Sequence, residues 1–275
     1  MSLPTPAVVA FDRLAPDYDA LASGETFSHQ RRLSHAAFAA WVPAGSRVLE
    51  IGCGSGLDTE YFARAGLRVT ACDPSPEMVA RTLRRLAAVP GSARSDVVAC
   101  GLEHLPDLLP ALAGDEGFDV LVSNFGALNC VECLAPLGRL AASHLRPGGA
   151  VLIGLMGRWC AWEVMYFSAT GRRGLARRRR TTPALVPVAG VEVPTFYHRV
   201  ADVGRALGPG LHLRAVRGLG IVVPPPYLEP RWRQVPVPLR RAAVGLDRLV
   251  SPLPGLNRLG DHVLTRWVKR RSADA

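Results

Sequence analysis

Lysine is almost absent from this 275-residue sequence. Lys269 is the only lysine, so arginine supplies all the other positive charges behind the net charge of +10. Such a charge can indicate a nucleic-acid or acidic partner. However, arginine in place of lysine, together with abundant Ala, Gly, Pro, Val and Leu, is typical of a bacterial high-GC coding bias, which needs no polyanionic partner. The charge therefore does not lead us to expect a nucleic-acid partner.

Long apolar runs are also missing. No stretch of 18 or more apolar residues occurs, so no transmembrane helix is predicted. Residues 1–19 lack the basic and apolar regions of a signal peptide, and we expect a cytoplasmic protein. The length suits one large α/β domain with an elaboration, or two small domains.

The cysteines do not form a recognisable framework. Disulfide scaffolds are short and loop-rich, and this chain is neither. Cys130 and Cys133 make one C-x-x-C pair, but no second pair or suitably spaced histidines would complete a structural zinc site. We therefore expect reduced, mostly buried cysteines and no bound metal.

Five apolar runs alternate with helical patterns between residues 47 and 156. The predicted strands are 47–51, 67–73, 95–100, 118–124 and 150–156. This alternation favours an α/β, Rossmann-like doubly wound sheet of five parallel strands. Antiparallel sixth and seventh strands, together with a helical cap inserted after the fifth strand, complete the predicted fold.

The segment VLEIGCGSGLD (48–58) places Gly52, Gly54 and Gly56 directly after the first predicted strand. Bare backbone allows a ligand to come close, and the N-terminus of the next helix offers free N–H groups and partial positive charge. Dinucleotides require G-x-G-x-x-G, but Leu57 stands three residues after Gly54, so this fingerprint is not met.

The acids around these glycines distinguish between ligands. Glu50 and Asp58 would repel a pyrophosphate but suit a cationic ammonium or sulfonium group. Asp73 ends the second strand, where it can accept two ribose hydroxyls. A phosphate-free nucleoside joined to an amino acid satisfies these conditions, and S-adenosylmethionine (SAM) is such a molecule.

Four segments of the chain resemble the class I SAM-dependent methyltransferases, in their small-molecule (methyltransferase type 11, UbiE-like) branch. They are VLEIGCGSG, VTACDPSPEMV, SNFGALNCV and HLRPGGAVLIG. FDRLAPDYD near the start is similar to a cofactor-covering helix of this family. The resemblance covers roughly residues 10–156. It implies an N-terminal helical lid (1–45), a SAM-binding core (46–156), and cap segments with C-terminal strands (157–275) that complete the same domain.

The same resemblance implies a set of cofactor-binding residues, with S-adenosylhomocysteine as the product. The set is Tyr18, Arg32, Glu50, Gly52, Cys53, Gly54, Gly56, Asp58, Asp73, Pro74, Ser75, Leu102, Glu103, Asn124 and Phe125. Tyr18 and Arg32 would close over the carboxylate end of SAM. Gly101 stands where many relatives carry aspartate, so adenine is left to Glu103, to backbone groups, or to no charged group.

Methyl transfer to a hydroxyl needs a general base, most commonly histidine. His198 is the residue we expect in this role, with His29 next. The acceptor pocket is predicted to include His29, Trp159, Trp162, Glu163, Tyr166, Tyr197 and Tyr227. Ordinary packing is the alternative for each of these aromatic residues.

The expected function is methyl transfer from SAM to a small-molecule acceptor, with a hydroxyl of a specialised metabolite favoured. The arginine-rich run 171–180 leaves RNA or protein as alternative acceptors, although a solvated loop would explain it as well. SNFG after the fourth strand lacks the Asn/Asp-Pro-Pro-aromatic tetrad common in enzymes that methylate base amino groups. A non-catalytic SAM-binding protein is the remaining alternative.

Overall fold

The computed structural model describes residues 4–91, 95–113 and 117–271. Its helices are α1 (Pro6–Ala22), α2 (Glu25–Trp41), α3 (Leu57–Arg64), α4 (Pro76–Ala87), α5 (Leu105–Ala113), α6 (Ala135–His144), α7 (Ala161–Ala169), α8 (Arg173–Arg177), α9 (Val200–Leu207), α10 (Glu229–Trp232) and α11 (Val237–Val250). Its strands are β1 (Arg47–Ile51), β2 (Arg68–Asp73), β3 (Asp96–Ala99), β4 (Phe118–Ser123), β5 (Leu145–Met156), β6 (Ala184–Val188), β7 (Val191–Thr195), β8 (Leu211–Leu219) and β9 (His262–Lys269).

Seven strands form one sheet in the order β3-β2-β1-β4-β5-β9-β8. The first five run parallel, as the alternating pattern predicts. Strand β9 is antiparallel to both β5 and β8, so β8 runs in the same direction as the first five strands. The expectation of two antiparallel strands is therefore correct for β9 and wrong for β8.

Helices cover both faces of the sheet, because neighbouring strand residues point to opposite sides. On β1, Leu49 and Ile51 pack into a core with α5, α6 and α9, whereas Val48 packs with α2 and α3 on the other face. Burial on both faces explains why the central strands read as continuous apolar runs. The doubly wound arrangement is confirmed.

The chain after β5 is only partly helical. Helices α7 and α8 come first, and an antiparallel hairpin of β6 and β7 follows them. Helix α1 packs against β7 and against α4. One end of the sheet is thus covered by an N-terminal helix and a hairpin, whereas the sequence pattern predicted a helical cap.

Two further properties bear on the expectations from composition. None of the helices in the described ranges is both long and apolar enough to cross a membrane. All six cysteines are free thiols, and four of them are buried.

Gly138 provides a test of how closely the helices pack. A Cβ atom at this position in α6 would collide with the backbone carbonyl of Ala206 in α9. Gly138→Ala should therefore lower the free energy of unfolding by about 1–3 kcal/mol, measured by chemical denaturation. The matched control is Gly245→Ala in α11, where a Cβ meets nothing within 4 Å. This change should raise stability by about 0.5–1 kcal/mol, and equal effects of the two substitutions would contradict the packing.

Candidate functional site

A cavity of about 680 Å³ opens at the carboxyl ends of β1, β2, β4 and β5. This is the edge where ligands bind in open α/β sheets. Most residues predicted from the sequence line it. They are Tyr18, Glu50, Gly52, Cys53, Gly54, Asp58, Asp73, Pro74, Ser75, Leu102, Glu103, Asn124, Phe125, Glu163 and Tyr227. Residues distant along the chain thus meet in one space.

The glycine loop is shaped by close contacts and by backbone conformation. Gly52 and Gly56 have φ values of 75° and 83°, which other residues rarely adopt. A Cβ at Gly52 would overlap Ala127, and one at Gly56 would lie 2.8 Å from the Thr82 hydroxyl oxygen. Gly56 does not line the cavity; it lets α3 approach α4. The sequence pattern did not distinguish these two reasons for glycine.

Asp73 holds the glycine loop against the start of α4. Its Oδ2 accepts a hydrogen bond from the Gly54 amide (2.8 Å), and its Oδ1 accepts one from the Ser75 amide (2.9 Å). Burial raises the pKa of this carboxyl above its ordinary value. The Ser75 hydroxyl caps α4 at the Met78 amide and donates to Asp12 of α1. Asp73 therefore lies in the cavity wall and also organises its backbone.

Glu50 and Asp58 are buried close together but have opposite environments. Glu50 accepts a hydrogen bond from the Thr59 hydroxyl (2.7 Å), and burial, reinforced by the negative charge of Asp58, raises its pKa to about 8. Burial would also raise the pKa of Asp58. Instead, the Arg31 guanidinium and the His35 imidazole, each 2.8 Å from Oδ1, hold that pKa well below its usual value. Two acids that look alike in the sequence therefore differ in charge preference.

The basic residue at this end of the cavity is Arg31, not Arg32. The Arg31 guanidinium lies 4.7 Å from the ring centroid of Phe125 and 5.0 Å from that of Phe27. Arg32 is exposed on α2 and does not line the cavity. Tyr18 does line it, and burial raises the pKa of its hydroxyl. A shift of one position along a helix moves a side chain by about 100°, and the sequence pattern of α2 did not determine which arginine faces inward.

Another part of the cavity lining comes from the hairpin and from the residues after β5. Val186, Val188 and Val193 supply apolar walls from the hairpin. Glu163 was predicted to make a polar contact with the acceptor. Its carboxylate instead accepts hydrogen bonds from Arg178 (2.9 Å) and Arg179 (2.8 and 2.9 Å). The charge of Glu163 is therefore compensated within the chain by guanidinium groups that line the same cavity.

The arginine-rich run is folded into the protein at its C-terminal end. Arg179 is buried and also donates to the Asp261 carboxylate (2.6 Å) and to the Asp261 carbonyl oxygen (2.7 Å). The Arg180 guanidinium lies over the Trp159 ring, 4.8 Å from its centroid. Because these arginines are engaged within the chain, the run offers less charge to an external polyanion than its composition indicates.

His198 lies beside the cavity but does not line it. Its Nε2 is 2.8 Å from the Val131 carbonyl oxygen. Two residues earlier, the Phe196 carbonyl oxygen accepts a hydrogen bond from the Asn129 side-chain amide. His29 is completely buried, with Nε2 2.7 Å from Asp247 Oδ2. Neither predicted candidate base lines the cavity, because the His198 imidazole is held by the Val131 carbonyl oxygen and His29 is buried against Asp247.

Four aromatic residues predicted for the acceptor pocket also lie outside the cavity lining. Trp162 donates from Nε1 to the Val222 carbonyl oxygen (3.0 Å), and Trp159 is half-exposed beneath Arg180. Tyr197 is buried near Arg179, and Tyr166 packs edge-on against Phe167. Their packing role, which the sequence left open, is the one that the structure supports.

His262 is the functional candidate that the sequence interpretation did not identify. It is buried, lines the cavity, and packs edge-on against Phe125 with ring centroids 5.5 Å apart. Its Nδ1 lies 3.2 Å from Gln30 Oε1 and 3.3 Å from Asp261 Oδ2. His262 opens β9 and pairs with Met156 at the end of β5. The adjacent Asp-His pair (261–262) at the start of a predicted antiparallel strand is the signal that could have revealed it.

In the parts of the chain that the structure describes, no group of three or more histidine, cysteine and acidic side chains is arranged to hold a metal ion. The cavity lining is acidic around the glycine loop, and elsewhere it combines valines of the hairpin, the ion pairs of Glu163 and the imidazole of His262.

Comparisons with known proteins agree with this architecture. A family model described as a methyltransferase domain matches residues 48–149. A ubiquinone biosynthesis O-methyltransferase of Xanthomonas axonopodis pv. citri is 35% identical over 122 residues, which are 42% of this chain and 45% of that protein. The chain therefore aligns with about half the length of such relatives.

Two solved structures are similar in fold. The [4+2]-cyclase SpnF has a TM-score of 0.61 and 15% identity, with 99% of each chain covered. A SAM-dependent methyltransferase of Thermotoga maritima, described as a possible histamine N-methyltransferase, has a TM-score of 0.59 and 17% identity, covering 96% of this chain and 99% of that one. At these identities the likeness establishes the fold alone.

The buried charge of Glu50 generates a prediction about stability. Without ligand, Glu50→Gln should raise the unfolding temperature at pH 8, because glutamine can still accept from Thr59 but carries no charge. Because the pKa of Glu50 is raised in the folded protein, ionisation of this residue lowers the free energy of unfolding. The loss begins above the ordinary glutamate pKa of about 4.3 and grows until about pH 8. Calorimetry should therefore show a small difference near pH 5 and the largest difference at pH 8 and above.

Asp58→Asn is the matched control for this prediction. The pKa of Asp58 is lowered in the folded protein, so its charge stabilises the fold above the unfolded pKa and this contribution is lost at acid pH. The asparagine variant should therefore unfold at a lower temperature than the wild type at neutral pH. A lower unfolding temperature for both variants at pH 8 would contradict the opposite environments of the two carboxyls.

Proposed function

Because residues 48–149 form a class I SAM-dependent methyltransferase domain, we propose that this protein transfers a methyl group from SAM to a hydroxyl of a small, largely apolar acceptor. The observation that carries the proposal is one cavity whose lining joins the glycine loop and buried acidic residues to His262 and apolar side chains.

The acidic end fits the charge of SAM. Glu50, Asp58 and Asp73 are all buried around the loop, and Arg31 is the basic side chain that lines this end among the described residues. That balance disfavours a pyrophosphate and favours a cationic group. Glu50 has no ion pair among the described residues and its pKa is raised to about 8, so a bound ammonium group would favour its ionised form. Arg31 donates to Asp58 through Nη1, and its remaining N–H groups would serve the carboxylate of the ligand.

Asp73 would serve the ribose. Each of its oxygens accepts one backbone amide, and a carboxylate oxygen has a further lone pair for a hydroxyl donor. Leu102 and Glu103 border the same part of the cavity and would flank adenine. When bound, SAM supplies a methyl group already activated by the sulfonium, so alignment and exclusion of water are the main tasks of the protein.

His262 is the residue that we assign to accept the proton of the hydroxyl. The neighbours of Nδ1, Gln30 Oε1 and Asp261 Oδ2, are both acceptors, which favours a proton on Nδ1. Gln30 donates from Nε2 to Asp261 Oδ2 (3.2 Å), and this orients its Oε1 toward the imidazole. Nε2 of His262 has no hydrogen-bond partner among the described residues and is left as the base. Our expectation for His198 is therefore replaced by this assignment.

The hydroxyl acceptor has two supports. An imidazole base is required only when the nucleophile holds its proton, as a hydroxyl does. The Xanthomonas relative is named as an O-methyltransferase. The walls formed by Met156, Val186 and Val193 favour an acceptor with an apolar body. The direct test is incubation with methyl-labelled SAM and a metabolite extract of the host, followed by mass spectrometry; label in no small molecule would contradict the proposal.

Asp73→Ala should weaken SAM binding at least tenfold, which is about 1.4 kcal/mol, because both the ribose contact and the loop geometry depend on this carboxylate. Isothermal titration calorimetry measures the effect. Asp107→Ala is the control, since Asp107 is an exposed acid on α5 outside the cavity. Unchanged affinity in Asp73→Ala, or an equal loss in the control, would contradict the cofactor assignment.

His262→Asn should lower kcat by about 10²–10⁴-fold because the acceptor loses its base. SAM affinity should stay within about twofold, since the imidazole makes no hydrogen bond to the glycine loop, Glu50, Asp58 or Asp73. His198→Ala is the matched control, because its imidazole does not line the cavity and is held by the Val131 carbonyl oxygen. Single-turnover rates and calorimetry separate the two readouts. A wild-type rate in His262→Asn together with a large loss in His198→Ala would restore His198 as the base.

A further inference from the structure

Helix α11 is oriented opposite to a usual surface helix. Its one buried residue is Asp247, which is 0% exposed. This carboxylate lies 2.7 Å from His29 Nε2 and accepts hydrogen bonds from the amides of Ile221 (2.8 Å) and Val222 (2.6 Å). A surface helix normally buries its apolar side and exposes its charges. Here a charged residue attaches the helix to the protein.

The outward side of α11 is apolar. Leu239, Leu246 and Leu249 are 61%, 49% and 71% exposed, and their spacing of seven and three residues puts them on one side of the helix. Leu253 and Leu256 follow directly after the helix and are 46% and 40% exposed. We call these five residues the leucine surface. Isolated exposed leucines are ordinary, but several side by side mark an interaction site.

Positive charge without compensation accompanies the leucine surface. Arg241, Arg248 and Arg258 are exposed and have no ion pair among the described residues. The acids of residues 229–260 are Glu229 and Asp247, and both are occupied within the fold. The surface therefore combines exposed leucines with arginines and offers no free carboxylate to a basic partner.

We propose that the leucine surface docks on an anionic lipid bilayer, with α11 lying in the headgroup region. Apolar side chains flanked by arginine are the features that place a helix at such an interface. With 14 residues, α11 is too short to span a bilayer, which takes about 20. A second copy of this chain is disfavoured because symmetric contact would bring Arg241 and Arg248 against like charges. This inference does not depend on the proposed methyl transfer.

Cosedimentation of the full-length protein with vesicles tests the proposal. Binding is expected to vesicles of equal parts phosphatidylcholine and phosphatidylglycerol, and much less to phosphatidylcholine alone. The triple change Leu239→Gln, Leu246→Gln, Leu249→Gln should lower the partition coefficient at least tenfold, since each leucine side chain loses its burial in the bilayer. The pair Arg241→Gln, Arg248→Gln should lower it by about fivefold per arginine, with a weaker response to salt.

Matched controls separate this surface from general effects. Leu83→Gln with Leu213→Gln, and Arg84→Gln with Arg139→Gln, alter exposed residues elsewhere and should leave binding unchanged. All substituted side chains point to solvent, and unfolding temperatures will show that each variant is folded. Absence of binding to anionic vesicles would overturn the proposal. So would a monomer–dimer equilibrium, measured by analytical ultracentrifugation, that the leucine changes abolish while vesicle binding stays at the background level.

Discussion

Carboxylates withdrawn from water at the carboxyl edge of the sheet are the constraint on which the rest of the site depends. Glu50, Asp58 and Asp73 are each less than 10% exposed, and each must find compensation close by. Asp58 obtains it from Arg31 and His35 of α2, and Asp73 from two backbone amides. Glu50 obtains only a hydroxyl. The raised pKa of Glu50 therefore favours its uncharged form without ligand, and a cationic ligand would favour the carboxylate.

Compensation of these charges also explains how the N-terminal helices are attached. Helix α2 supplies the guanidinium and imidazole for Asp58, and α1 supplies Asp12 to the cap of α4. Asp19 of α1 pairs with Arg81 and Arg85 of α4. The helices that cover the cavity are thus held by polar contacts at its rim, so closure of the cavity and its electrostatics are linked.

The core could be predicted from the sequence because its signals are local. Continuous apolar runs, Ser75 as the cap and Pro76 as the first residue of α4, and the glycines after β1 each determine a short element or turn. The cofactor end follows from these elements, and most residues expected there do line the cavity. Arg31 in place of Arg32 was missed because helical periodicity alone did not resolve the rotation of α2.

The acceptor end could not be predicted in the same way, because its residues meet through tertiary contacts. Glu163 reads as a polar residue in an aromatic segment, and only folding shows that two arginines occupy it. His262 lies more than 100 residues from Met156, its neighbour across the strands. Strand β9 runs against β5, so its first residue rather than its last arrives at the cavity. His198 was the base expected from the sequence, but its imidazole is held by the Val131 carbonyl oxygen.

Arg179 joins α7, through Glu163, to the start of β9, through Asp261. Glu163 in the cavity wall and the carboxylate beside His262 consequently share one guanidinium. A substitution that displaces Glu163 should therefore disturb the imidazole as well. Under the roles proposed above, divergence in acceptor preference would be coupled to proton abstraction, and a change in one property would require adjustment of the other.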